Sequence, residues 1–308
     1  MKNFIFICLF LILASCERNT DKRIPIAILT PVTHPSLEQI EKGFKETMEK
    51  RSPGTYRFKT YNSQGNKTLM RSEIEEIINH DYRLIFTIGT TASQMAKEVL
   101  EKKNLQIPIV FTAVNDPLGF NLIQSEKVPG GNVTGVKEML HVDEELEALF
   151  DHQPGIKNIL LVYNPAEAGL QNDQQKVARI LKEKKINLKT VEVFKTNELL
   201  SKVSPFISEA DALLVLKDNT VVSGLDALVK LCDRHQVPLM TSDLDSPDRG
   251  AAFGYGVYEI EFGIEGAKKA LQILEEGKSA GSIPVTPVAE FTLRINSEAA
   301  KRQGIRLP

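Results

Sequence analysis

Cysteine is nearly missing from this chain. Only Cys8, Cys16 and Cys232 occur in 308 residues, so no disulfide framework can brace the fold. Charge of one sign is missing too. The formal net charge is −2 and Lys and Arg are spread along the chain, which excludes the basic footprint of a nucleic-acid binder. The densest basic cluster, Lys182-Glu183-Lys184-Lys185, is interrupted by an acid and reads as a solvated helix face. After residue 13 there is no second long apolar run. Catalytic signatures are equally scarce. Ser-x-x-Lys, His-Glu-x-x-His, Cys-x-x-Cys and Gly-x-x-x-x-Gly-Lys are all absent, so zinc and phosphate-loop chemistry have no motif to rest on. His34 has no serine or cysteine nucleophile in a recognisable frame. The chain is expected to carry no metal, no cofactor and no enzymatic activity.

What is present begins at the N-terminus. Lys2 precedes an apolar run from Phe4 to Leu13, and Leu13-Ala14-Ser15-Cys16 closes it with small residues and a cysteine. The run is shorter than the roughly 20 residues a membrane-spanning helix needs, and its charged, apolar, small order is that of a cleavable export signal. The small residues before Cys16 resemble a bacterial lipobox. Residues 1–15 are expected to be the signal peptide, Cys16 the lipidated first mature residue, and 16–23 a polar tether, making an exported lipoprotein of the cell envelope. Cys232 then has no partner at all, and the sequon Asn132-Val133-Thr134 carries no sugar in a bacterium.

From Ile24 onward, apolar segments of strand length alternate with segments of helical period, the pattern of βα units and parallel sheets. Strands are expected at Ile24–Leu29, Tyr56–Tyr61, Leu84–Ile88 and Ile109–Ala113. Helices lie between them, the first capped by Ser36. Pro129-Gly130-Gly131-Asn132-Val133-Thr134-Gly135 then reads as a permissive crossover, after which the alternation restarts. The second series has strands at Asn158–Tyr163, Leu188–Phe194, Ala212–Leu216 and Pro238–Met240, with helices at Ala166–Lys185, Glu198–Glu209 and Val221–His235. The fold class is α/β, two doubly wound parallel-sheet lobes with a hinged cleft. The first lobe is assigned 24–136 with about 251–286, the second 137–250 with about 287–308.

Ligands of open parallel sheets sit beyond the carboxyl ends of the strands. The turns there are polar: Thr33-His34, Gly89-Thr90-Thr91, Asn115-Asp116, Asn164 with Glu167, Lys217-Asp218-Asn219, and Ser242-Asp243. Gly89-Thr90-Thr91 opens a helix, where free amides and a hydroxyl suit a carboxylate. Asp116 or Asp218 could hold an ammonium, although both also fit simple turn or helix caps. Phe111, Phe120, Tyr163, Phe253, Tyr255 and Tyr258 could line an aromatic pocket, but strand aromatics of this kind belong mostly to the core.

Ile88-Gly89-Thr90-Thr91-Ala92, the run from Ile109 to Pro117, Gly130 to Val136, Tyr163-Asn164-Pro165-Ala166-Glu167, Asp218-Asn219 and Arg294-Ile295-Asn296 occur in an order that resembles one family. It is the ABC transporter substrate-binding family that includes the tryptophan- and phenylalanine-binding lipoproteins. The resemblance implies a type I periplasmic-binding-protein fold and a monomer that hands a captured solute, an amino acid in some members, to a membrane permease. Carried over by position, the ligand-facing residues are Thr33, His34, Gly89, Thr90, Thr91, Asn115, Asp116, Asn164, Glu167, Asp218, Asn219, Ser242 and Asp243. Three positions depart from the family pattern: Thr91 stands for a usual proline, Asn121 for a glycine, and Gly169-Leu170 for a frequent Asn-Ser. The competing expectation is a sensory or adhesive surface lipoprotein that uses the same fold to meet a protein partner.

Overall fold

The computed structural model describes residues 21–306; the expected export signal and Cys16 lie outside them. The first half of the chain is a βα alternation that ends with two successive strands. It comprises β1 (Ile24–Thr30), α1 (Pro35–Arg51), β2 (Tyr56–Asn62), α2 (Lys67–Ile78), β3 (Leu84–Ile88), α3 (Thr90–Lys102), β4 (Ile109–Val114) and β5 (Val133–Lys137). The alternation resumes with α4 (Val142–His152), β6 (Asn158–Tyr163), α5 (Leu170–Glu183), β7 (Asn187–Glu192), α6 (Leu199–Val203), β8 (Ala212–Val215), α7 (Asn219–Ser223), α8 (Leu225–His235), β9 (Leu239–Thr241) and β10 (Phe253–Gly256). Last come α9 (Glu259–Leu274), β11 (Thr286–Pro287), β12 (Thr292–Ile295) and α10 (Ser297–Arg302).

Two six-stranded sheets result, in the orders β11-β5-β4-β3-β1-β2 and β12-β10-β9-β8-β6-β7. All pairings are parallel except β10 with β12. The central strands β1, β3 and β4 read as almost continuous apolar runs because both faces of each sheet are covered. One face of the first sheet is closed by α1 and α9 around Phe44, Phe86 and Phe262, the first two stacked with centroids 3.9 Å apart. The other is closed by α2 and α3 around Ile74, Ile85 and Phe111. The second sheet is sandwiched in the same way. The chain passes between lobes three times, at 138–141, 257–258 and 288–291.

Several sequence expectations are corrected here. Residues 133–137 are strand β5, paired with β4, and not part of the crossover, which begins only at Glu138. The glycines before it hide a short apolar strand. β10 belongs to the second sheet, beside β9, so the return to the first lobe starts after Gly256 and not at Ala251. Helix α1 starts at Pro35 with His34 in the cap position, because proline at the first helical position needs no amide partner; Ser36 is buried inside the first turn. The single helix expected over 198–209 is broken into short turns around Pro205, and that expected over 221–235 is two helices meeting at Gly224.

Candidate functional site

Where the two sheets face each other, the segments after β1, β3, β4, β5, β6 and β8 meet across a nearly shut cleft. A cavity of about 60 Å³ is lined by Gly89, Thr90, Thr91 and Asn115 from the first lobe and by Glu167, Leu170, Asp173, Lys217 and Asn219 from the second. A neighbouring one of about 50 Å³ is lined by His34, Glu138, Lys217, Asp218, Asp243 and Glu259. Outward, Thr91, Asn164, Glu167 and Asn219 border a wider mouth of about 700 Å³.

The first-lobe wall is a helix start. Gly89 offers no capping side chain, and the first amide of α3 to reach a carbonyl in its own helix is Ser93 N–H, on Gly89 O at 3.2 Å. The amides of Thr90, Thr91 and Ala92 therefore have no partner in the helix, and the positive end of the helix dipole faces the cleft. Carboxylates suit such a wall.

The opposite wall and floor are acidic. Glu138, Glu167, Asp173, Asp218, Asp243 and Glu259 line the two cavities against a single ammonium, Lys217. Lys217 sits 2.8 Å from Glu138 and 2.7 Å from Glu259, with its ammonium 4.5 Å from the Phe262 ring centre. Burial opposes its charge, but the two carboxylates more than offset this and hold its pKa above the usual lysine range. Burial pushes Glu259 up to about 8, although Lys217 pulls it back. His34 Nε2 donates to Asn219 Oδ1 at 3.0 Å across the lobes, while its buried Nδ1 has no partner; burial lowers its pKa, so the ring is neutral. Asn219 passes the chain of hydrogen bonds on, donating from Nδ2 and from its backbone N–H to Glu167. Burial, followed by the charge of Asp218, holds Glu167 well above the usual carboxyl range.

Two carboxylates expected to seat an ammonium are already occupied. Asp218 caps α7, accepting from Val221 N–H at 3.0 Å and from the N–H of Asn164 at 2.5 Å. Asp116 accepts from Gly119 N–H at 2.8 Å in its own turn and lines neither cavity. Two more positions move off the cleft. Thr33 lies on an outer groove along α1, bonded by the Asn62 amide. Ser242 turns beneath the sheet and donates to Glu145, 2.9 Å from both carboxyl oxygens. Asn164 and Asp243 border the cleft but spend their side chains locally, on Thr220 and Ala166 and on the 245–246 turn respectively. Of the six aromatics, Phe111 and Phe253 are wholly buried, Tyr258 is exposed, and none lines either cavity.

Glu138, Asp173, Lys217 and Glu259 were not singled out from sequence. Glu138 directly follows β5, so recognising that strand would have put it among the turns to inspect; Lys217 stood in a turn already marked. Nothing in the sequence distinguishes Asp173 from other helix-surface acids. Among the described residues no His, Cys, Asp and Glu group has metal-site geometry, and no helix is long and apolar enough to cross a membrane.

Two α/β lobes with a polar cleft at the strand ends define a type I periplasmic binding protein, a solute-binding class and not an enzyme. The chain belongs to the ABC transporter substrate binding protein family, whose model matches residues 25–308. It is 28% identical to a tyrosine-binding protein of Clostridioides difficile over 92% of this chain and 82% of that one. Among solved structures it resembles an ABC domain in complex with L-Trp from Streptococcus pneumonia, at 25% identity and TM-score 0.85 over 93% and 96% of the two chains. A substrate-binding protein with adhesive properties from Clostridium difficile, in its ligand-free, open form, is also 25% identical, covers 92% and 96%, and superposes with a TM-score of 0.68.

Proposed function

We propose that this protein is the lipid-anchored receptor of an ABC importer, held by Cys16, and that it closes its lobes on a free α-amino acid. The observation that carries this reading is the pairing of unsatisfied α3 amides with an acid-rich wall opposite, the complement of a carboxylate and an ammonium on one small molecule. Thr90 and Thr91 take the carboxylate, and Leu170 and Leu140 offer apolar surface to the side chain. The relatives described as binding tyrosine and L-Trp direct the choice of solute to aromatic amino acids. Ligand contacts to both lobes are made only when the lobes meet, so closure follows from differential affinity for the closed state.

The test is thermal unfolding of the soluble form starting after Cys16, refolded to remove any carried solute, against amino acids, nucleosides and sugars. A solute at 100 times its Kd stabilises by about 2.7 kcal/mol, a rise of several degrees. A rise with L-Trp, L-Tyr or L-Phe alone supports the reading, and no rise with any amino acid from folded protein rejects it. The adhesive relative favours a second reading, in which the same closure presents a surface to a protein partner. Solute uptake that persists in cells lacking this protein would favour that role over import.

A further inference from the structure

The geometry points to Asp173 and Asn115, on opposite lobes, as the seat of the solute ammonium. This rests on the amino-acid reading above and goes further by naming which groups bind the cation. The argument is an accounting of acceptors. A carboxylate offers about four lone-pair sites. Asp218 and Asp243 spend theirs on backbone amides and the Ser246 hydroxyl, and Glu167 on Asn219, while Glu138 and Glu259 already have a counter-charge in Lys217 at 2.8 and 2.7 Å. Asp173, in the first turn of α5, receives one hydrogen bond, a long one of 3.3 Å from Asn115 Nδ2. Its helical neighbour Lys176 is turned away to pair with Asp143.

Asn115 makes the second, independent observation. Its Nδ2 lies 3.2 Å from Gly169 O and 3.3 Å from Asp173, both acceptors, so the orientation of the amide is fixed. That leaves Oδ1 wholly buried with nothing to accept from. A buried acceptor in that condition costs about 1–3 kcal/mol unless a donor arrives. An ammonium placed beside Asp173 has a hydrogen for each of the two, and it also offsets the excess of acids in the cleft. Gly169 permits the approach. Its φ is +95°, and a Cβ there would fall 2.5 Å from the Asn115 amide.

Asp173→Asn and Asn115→Leu separate this from other assignments. Binding of L-Tyr, L-Trp and L-Phe, and of the des-amino acid of whichever binds best, is measured by calorimetry on proteins whose unfolding midpoints match the parent. Each variant is expected to weaken the amino acid at least about tenfold, the share of one charged hydrogen bond, while the des-amino acid changes less than threefold. Asp116→Asn is expected to change neither. Amino-acid affinity kept within threefold in Asp173→Asn, or equal loss of both compounds, overturns the assignment. If the parent protein binds none of the three amino acids, the failure lies with the amino-acid reading itself.

Discussion

Glu145 is 1% exposed and its nearest donor is the hydroxyl of Ser242. Burial, reinforced by Asp243 and Asp173 and only partly relieved by Ser242, pushes its pKa up to about 8. The folded state thus holds a proton that the unfolded chain releases near 4.5. An acid shifted this way stabilises least where it must be charged, so its contribution falls as pH rises from about 4.5 to about 8 and levels off above. Midpoints of urea unfolding between pH 5 and 8.5 should decline, and Glu145→Gln, which keeps the neutral shape, should flatten the decline. An unchanged slope in the variant would assign the pH dependence to Glu259 and its neighbours instead. The same pair shows the limit of reading turns from sequence. Ser242-Asp243 follows a strand end as expected, but side chains alternate in direction there, and only the packed structure decides that Ser242 turns to α4 while Asp243 faces the cleft.

At the scale of elements, strands were more legible than helices. Leu84–Ile88 and Asn158–Tyr163 are visible as continuous apolar runs because both faces are buried. Val133–Lys137 is not, since it has a threonine and a glycine at its centre and glycines and a proline before it. Missing it concealed Glu138. Helix contacts were not legible at all, as in the case of α1 against α9. A Cβ on Gly263 would stand 2.0 Å from Ile40 O and 2.6 Å from Phe44 N, both backbone atoms that cannot swing aside. Alanine is the better helix former by about 1 kcal/mol, but overpacking of this kind costs about 1–3 kcal/mol or more. Gly263→Ala should therefore lower the free energy of unfolding in urea; a gain would mean that the two helices can part without loss.

At the scale of the whole molecule, the ammonium of Lys217 links the two lobes. Lys217 comes from the second lobe, Glu138 from the first crossing and Glu259 from the end of the second, so their ion pairs tie the hinge segments to a strand end. Removing one partner of a buried pair is far more costly than never having built it, commonly about 3–5 kcal/mol. Lys217→Met leaves two acids facing each other, and that loss should be largest near pH 8.5 and smaller near pH 5, where Glu259 takes up a proton. Equal losses at both pH values would show that the ammonium acts through packing against Phe262 alone. None of this could be read from the chain, because the three residues are brought together only by the crossings.

Those crossings also bear on the order of assembly. The first sheet is missing strand β11 until residue 287 has been made, and α1 lacks its helical partner until residue 274. Neither lobe is a contiguous stretch of chain, so neither can finish while the polypeptide is still emerging N-terminus first. Closing contacts so distant in sequence slows folding. Both walls of the cleft stay unfinished until residues 286–295 are in place, and only then can the protein hold a solute between its lobes.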